Sequence, residues 1–457
     1  MARRPEGVFE KIQKDLSVVG QFSKTPDRLE HYSVFVGLLL MSVTLRFEIS
    51  GDGALRYRML QALVDEHRIL SDYGYSLLQC IGALPLYVVG KSLRHPINFV
   101  ERFNLLFFSG MMLAAWRRLS PLINVRLLRR WCLLMLVCSM FPHHLRMFYT
   151  EVFSTAGVVI GLVCLVTNAP FIGAASMSLG VIDSPVLMLP LMLVTLKLSW
   201  DSKGLWYWAI PAVSILGIML EAWIRRGSPF LTGYENNHGF QTLLPYSGLP
   251  GFSYPFILGA LSILFSFGKG LLFFTPGLLL SYQGSERKPY HLTLARLQSA
   301  LLIFVAGMVV AYAKWWAWYG GFFWGPRFFL LASVPASLAL AFQLQDTDRS
   351  LSKNVLVLGV LLLSAWVGIE GAIFGQDGLE RIGAVNNYAL ESLVWYVPEF
   401  SPLWYPLVAH HRLLRRDMII VGYSTVVTAW LAAPLLKQLA GQLDVRLRTL
   451  IVDWKNR

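Results

Sequence analysis

Ile49-Ser50-Gly51-Asp52-Gly53-Ala54-Leu55-Arg56-Tyr57 follows directly on an apolar run from Tyr32 to about Leu45. The run is apolar enough to cross a bilayer with its flanks. What emerges from it is a carboxylate, with an arginine and a tyrosine about one helical turn onward. This stretch decides the reading of the chain: a span opening onto a charged surface segment, with Asp52 as the centre of a candidate lipid-facing site.

Composition agrees with a membrane class. Of 457 residues, 55% are hydrophobic, 13% aromatic and 15% charged, a departure from soluble composition toward polytopic membrane proteins. The net charge of +13 does not indicate nucleic acid, because the basic residues stand in short clusters between apolar runs, as topology signals do. Cys80, Cys132, Cys138 and Cys164 have no metal-ligand spacing and indicate no disulfide framework.

Outward from the opening stretch, residues 1–31 are a polar, basic lead-in with Arg3, Arg4, Lys11, Lys14, Lys24 and Arg28, expected to be cytoplasmic. No small-residue cleavage site follows, so the first span is expected to stay as an anchor. Tyr75–Gly90 is apolar, but if it crossed, the arginines at 117, 118, 126, 129 and 130 would fall on the wrong face. Residues 47–98 are therefore read as one long outer segment with helices at the membrane surface.

Further spans are expected near 99–116, 131–141 and 152–167, then two segments in 170–196 broken at Asp183-Ser184-Pro185, then 204–222. A second long outer loop covers 223–270. Spans near 271–283, 297–314, 328–344, 354–373 and 418–436 follow, with a basic cytoplasmic tail at 437–457. Arg287, Lys288, Arg296, Arg349, Lys353, Lys437, Arg446 and Arg448 then lie inside. The expectation is an all-α, polytopic integral membrane protein with roughly 11–13 transmembrane helices over 32–436, juxtamembrane helices in the first outer loop and both termini cytoplasmic.

The charged and aromatic motifs fall on the outer side of this topology. Asp52, Arg56 and Tyr57, then Tyr149 and Glu151, then Arg225, Arg226 and Tyr234, then Lys269, then Trp318, Tyr319, Trp324 and Arg327 all map to outer loops or outer span ends. Cations on the face that topology should deplete of them point to an anionic lipid head group.

At these residues the chain resembles the GT-C superfamily of integral-membrane glycosyltransferases, which use polyprenyl-phosphate sugars. The likeness rests on Arg-Arg-Gly-Ser-Pro-Phe-Leu-Thr-Gly-Tyr (225–234), Phe-Ser-Phe-Gly-Lys-Gly-Leu-Leu-Phe-Phe-Thr-Pro (265–276) and Trp-Tyr-Gly-Gly-Phe-Phe-Trp-Gly-Pro-Arg-Phe (318–328), and it covers about 30–345. It implies a GT-C-like fold, Asp52 as catalytic base or acceptor-positioning carboxylate, and Glu151 as a second outer acid. It also implies a polyprenyl-phosphate sugar donor and a lipid, glycan or protein acceptor. Where family members often have Gly-Asp-Glu, this chain has Gly51-Asp52-Gly53, which leaves dependence on Mg or Mn open. The sequence itself requires no cofactor.

The chemistry can be set out beside the resemblance. Sugar transfer from a lipid phosphate needs a carboxylate for the acceptor hydroxyl and cations for the departing phosphate. Asp52 suits the first role, to which the resemblance adds Glu151. Arg56, Tyr57, Arg225, Lys269 and Arg327 are assigned to the donor phosphate. Tyr149, Tyr234, Trp318, Tyr319 and Trp324 suit sugar faces or a lipid groove.

Plainer readings stand beside these: Asp52 as a turn residue, Glu151 as a helix N-terminal charge, the aromatic run as an interfacial belt, and Arg225-Arg226 as a solvated pair. His143-His144 and His410-His411 are not assigned to a metal, because adjacent histidines rarely address one ion. A lipid-linked-sugar flippase or a non-catalytic scaffold would use the same spans.

Overall fold

The computed structural model describes residues 24–235, 237–282, 289–409 and 413–455. The lead-in before Lys24, Arg287, Lys288 and the His410-His411 pair lie outside the described residues. Among those described there is no strand, and isolated bridges join Glu48 to Met147 and His238 to Pro250. The longer helices are α1 (Lys24–Thr44), α2 (Gly51–Asp65), α3 (Leu78–Ser92), α4 (Phe103–Leu119), α5 (Val125–Val137), α6 (Glu151–Val166) and α7 (Pro170–Asp183). They continue as α8 (Met188–Ser202), α9 (Ala209–Arg226), α10 (Phe256–Phe265), α11 (Pro289–Tyr312), α12 (Ser333–Gln343), α13 (Leu351–Ile373) and α14 (Arg415–Lys455).

Four helical stretches are long and apolar enough to cross a membrane: Leu205–Arg226, Leu292–Tyr312, Leu351–Ile373 and Arg415–Ile451. Leu29–Thr44, Glu151–Val166, Pro170–Asp183, Phe256–Phe265 and Arg327–Gln343 are apolar but shorter. The chain is an all-helical protein of membrane character.

Local chemistry explains where the helices depart from expectation. The stretch 271–283 is not one helix: Leu271–Phe274 and Pro276–Leu279 are separate short turns, because Pro276 disfavours helical backbone at Thr275. α5 is only 13 residues long and every residue from Leu127 to Val137 is buried, so it is wrapped by protein. Its Trp131 indole donates to the Val334 carbonyl at 3.1 Å. Near its start, Arg129 pairs with Glu30 of α1 at 3.0 Å, and Arg130 donates to the Leu344 carbonyl at 2.6 Å. The segment after Lys437 is the continuation of α14 rather than a separate tail.

Glycines set one close helix pair. A Cβ on Gly157 would stand 2.8 Å from the Ser176 carbonyl, and one on Gly180 would stand 2.8 Å from that of Ser154. α6 and α7 thus meet backbone to backbone, the small-residue packing that suits helices in lipid. Asp183 closes the far end, accepting from Thr150 and, at 3.0 Å, from Ser154.

Residues 47–98 fold into α2, α3 and the short helix Pro96–Val100. Tyr57, Leu60, Cys80 and Tyr87 of this segment form a second apolar core together with Phe103 of α4 and Phe148. This unit carries the start of α2, and Asp52 with it.

A candidate active site around Arg327

Asp52 sits in the first turn of α2, where a carboxylate favours the helix dipole. The chain enters that helix through Gly51 at φ +50, a backbone region that resists side chains. A Cβ there would also collide with the Tyr149 hydroxyl. Asp52 is thereby held against the 147–151 segment, at the end of α6 where Glu151 begins the helix.

Arg327 arrives from a third place. It follows the loop 320–325, in which Gly320, Gly321 and Gly325 have positive φ. Gly320 takes φ +77, and a Cβ there would stand 3.1 Å from the Arg327 Cβ, so this turn can lie directly on the arginine.

The three stretches meet at one guanidinium. Arg327 Nη2 donates to Asp52 Oδ2, Nε donates to Glu151 Oε1 at 2.5 Å, and Nη1 donates to the Gly320 carbonyl at 3.3 Å. Its plane lies over the Tyr149 ring, with Cζ 4.5 Å from the centroid. Tyr75 donates its hydroxyl to Asp52 Oδ1 at 2.8 Å. Arg56 lies over the Tyr75 ring at 4.7 Å, and Tyr234 is near enough to feel the charges of Arg56, Asp52 and Arg327.

Exposure is unequal within this cluster. The Asp52 side chain is 27% exposed, whereas Arg327 and Glu151 are 9% and 6% exposed. One carboxylate is partly exposed and the other is buried. Burial alone would push the Asp52 carboxyl up, but the Arg327 guanidinium, the Tyr75 hydroxyl and the Arg56 charge together hold it below the usual carboxylate range. Two buried polar atoms lack partners here, Glu151 Oε2 and Arg56 Nε. They leave one acceptor and one donor unused within the cluster.

The remaining expected site residues lie elsewhere or do other work. Arg225 is bonded to backbone: it donates to the Leu70 carbonyl at 3.0 and 3.2 Å, to that of Tyr73 at 2.9 Å and to that of Tyr75, and it pairs with Glu221 at 2.9 Å. Lys269 is buried and donates to the carbonyls of Phe323 and, at 3.2 Å, Gly321. Burial pushes its ammonium pKa down and that of the nearby Glu391 carboxyl up, while their opposite charges resist both shifts. Neither cation points a free hydrogen-bonding edge at Asp52. They fix the two loops that carry Tyr75 and Arg327.

Tyr57 turns to the other side of α2, edge-on to Tyr87 at 5.8 Å. Trp324 is fully buried, bonded to Glu370 and stacked on His143 at 4.7 Å. Tyr319 stacks on Trp395 at 4.0 Å, and Trp318 packs among Tyr254, Trp395 and Tyr396. These rings build the wall behind the loop 320–325.

Tyr75 was not singled out from the sequence. No period or charge pattern marks it, and only its position beside Gly74 in a polar turn hints at a special place. Among the described residues, no group of three or more His, Cys, Asp and Glu side chains is arranged to hold a metal ion. No protein-family model matches the chain, and no curated protein is significantly similar to it.

Proposed function

We propose that the chain is an integral-membrane glycosyltransferase of the GT-C type, moving a sugar from a polyprenyl-phosphate donor to a hydroxyl of a lipid, glycan or protein acceptor. The reaction is placed at the extracytoplasmic face of the cell (inner) membrane, with roughly a dozen crossings and both termini cytoplasmic. The observation that carries the reading is a single guanidinium held between two carboxylates from remote parts of the chain, only one of which is partly exposed.

In this scheme the acceptor hydroxyl gives its proton to Asp52 as its oxygen bonds to the anomeric carbon. The bond from that carbon to the phosphate oxygen breaks, and the electron pair leaves with the polyprenyl phosphate. Attack from the face opposite the phosphate inverts the centre. Arg327 and the unpartnered Arg56 Nε meet the phosphate charge, a task for which guanidinium is suited. As the phosphate claims Arg327, Asp52 loses the cation that suppresses its basicity. Donor binding therefore makes it a better base.

The test is reconstitution of the purified chain in lipid nanodiscs with a labelled polyprenyl-phosphate sugar and a hydroxyl acceptor. Label appearing on the acceptor supports transfer. Movement of the intact donor between leaflets of liposomes without transfer would replace the proposal with a flippase, and donor binding without either would replace it with a scaffold.

A further inference from the structure

The loop that follows α9 carries an exposed carboxylate, Glu235, with both oxygens engaged. The Thr232 amide donates to Oε1 at 2.6 Å, the Thr232 hydroxyl donates to the same oxygen at 2.9 Å, and the Gly233 amide donates to Oε2 at 2.8 Å. The Thr232 amide, helped by that of Gly233, holds the Glu235 carboxyl down to about 2. The knot is therefore ionised and closed at any pH near neutrality.

The knot holds Gly233 in the left-handed region, at φ +81, against the last residue of α9. A Cβ there would stand 2.8 Å from Arg226 Nε and 2.9 Å from both its Nη2 and the Gly74 Cα. Arg226 in turn donates to the Leu231 carbonyl at 3.4 Å and to the Tyr73 carbonyl at 3.0 Å. On the other side of the contact, a Cβ on Gly74 would meet the Tyr234 ring at 2.8–3.0 Å. One guanidinium and two glycines thus clasp residues 231–235 to the turn that carries Tyr75.

What the clasp delivers is Tyr234. Its ring lies on Gly74, edge-on to Trp315 with centroids 6.1 Å apart, and is 37% exposed. It stands within range of the Arg56, Asp52 and Arg327 charges. Tyr75 has already given its hydroxyl to Asp52 Oδ1, whereas the Tyr234 hydroxyl has no hydrogen-bond partner among the described residues. Two phenols therefore stand near the partly exposed carboxylate, one bonded to it and one free.

We infer that Glu235 and Arg226 are positioning residues that hold Tyr234 near Asp52, where its free hydroxyl bonds a polar group of the acceptor. The acceptor role rests on the glycosyltransfer reading, and the placement of the ring rests on the contacts alone. Tyr234 selects rather than reacts: a site that offers a hydrogen bond to a substrate hydroxyl discriminates against an analogue lacking it. A ring held by a carboxylate knot and two glycines keeps that donor in place before the acceptor arrives, which lowers the ordering cost of binding.

The experiment has two arms on the purified full chain. In the first, a fluorinated tyrosine is placed at Tyr234 and its fluorine NMR signal is followed. The clasped ring should give one displaced signal, and Glu235→Ala, a change at an exposed position, should move it to that of a free side chain, with partial return in Glu235→Gln. A signal indifferent to Glu235→Ala would overturn the inference. In the second arm, Tyr234→Phe and Glu235→Ala should each raise the KM for a hydroxyl acceptor about tenfold, the loss of roughly one hydrogen bond. Donor affinity and the acid limb of the pH–rate profile should stay where they are, because neither change touches a contact of Asp52. An unchanged KM, or a shifted acid limb, would overturn the acceptor role. If the signal moves as expected but the wild-type chain transfers no sugar, the glycosyltransfer reading and the acceptor role fall together, and the placement of Tyr234 stands.

Discussion

Arg327 and Arg225 are both buried arginines with every guanidinium nitrogen engaged, yet their partners differ in kind. Arg327 is held by two carboxylates and one carbonyl, whereas Arg225 is held by the carbonyls of Leu70, Tyr73 and Tyr75 with one carboxylate at its side. A carboxylate bound to guanidinium can be exchanged for a phosphate of like charge and geometry. Backbone carbonyls cannot be exchanged without unmaking the turn. On the proposed reading the first arginine takes the ligand, whereas the second is a fastener for residues 70–75, which deliver Tyr75 to Asp52.

The sharpest way to break this contrast is at Asp52. Asp52→Asn keeps the shape but removes the base, so turnover should fall by roughly 10²–10⁴ with donor affinity largely retained. Single-turnover kinetics beside donor titration would show this, and near-normal turnover would end the assignment.

Arg327→Lys keeps the charge and loses the fork, and should reduce turnover by about 10²–10³ while weakening donor binding. Arg327→Ala additionally strands Glu151 in a buried place, at a cost of about 3–5 kcal/mol in stability. Thermal unfolding in detergent would register that loss.

Arg225→Ala should act the other way round. It leaves carbonyls unbonded and should lower stability by about 1–3 kcal/mol, loosening 70–75 with no specific loss at the donor phosphate. If Arg225→Ala proved as damaging to donor affinity as Arg327→Ala, the two arginines would not be different after all.

The smallest effect is expected at Tyr75. In the proposed mechanism Asp52 serves as base when ionised, so activity should be present above its pKa and lost as pH falls through it. Tyr75→Phe removes one of the contacts holding that pKa down, so the acid limb of the pH–rate profile should move to higher pH. An unmoved limb would mean that the hydroxyl only packs.

Much of this was legible in the sequence, because apolar runs and their basic flanks express the membrane class directly. Asp52 and Glu151 stand out in the sequence as lone carboxylates beside apolar runs, and the structure brings both to Arg327. Tyr57 was misplaced for a reason also visible in the sequence: five residues on from Asp52 at about 100° each carry it toward the far side of the helix. The roles of Arg225 and Lys269 were not legible, since a bond to a main-chain carbonyl leaves no mark in the identity of the acceptor residue. The short 271–283 turns were obscured by apolar composition, although Pro276 and Gly277 were in plain view.

The glycine contact between α6 and α7 has a consequence for how the chain can vary in length. A residue inserted between 173 and 180 would rotate the rest of α7 by about 100°, turning Gly180 away from Ser154 and drawing Asp183 off Thr150. The turn at 167–169 lies between the two helices and is exposed at Asn168, so an extra residue there should leave both in register. Natural or engineered length changes in this hairpin should therefore gather at its tip and be missing from its sides.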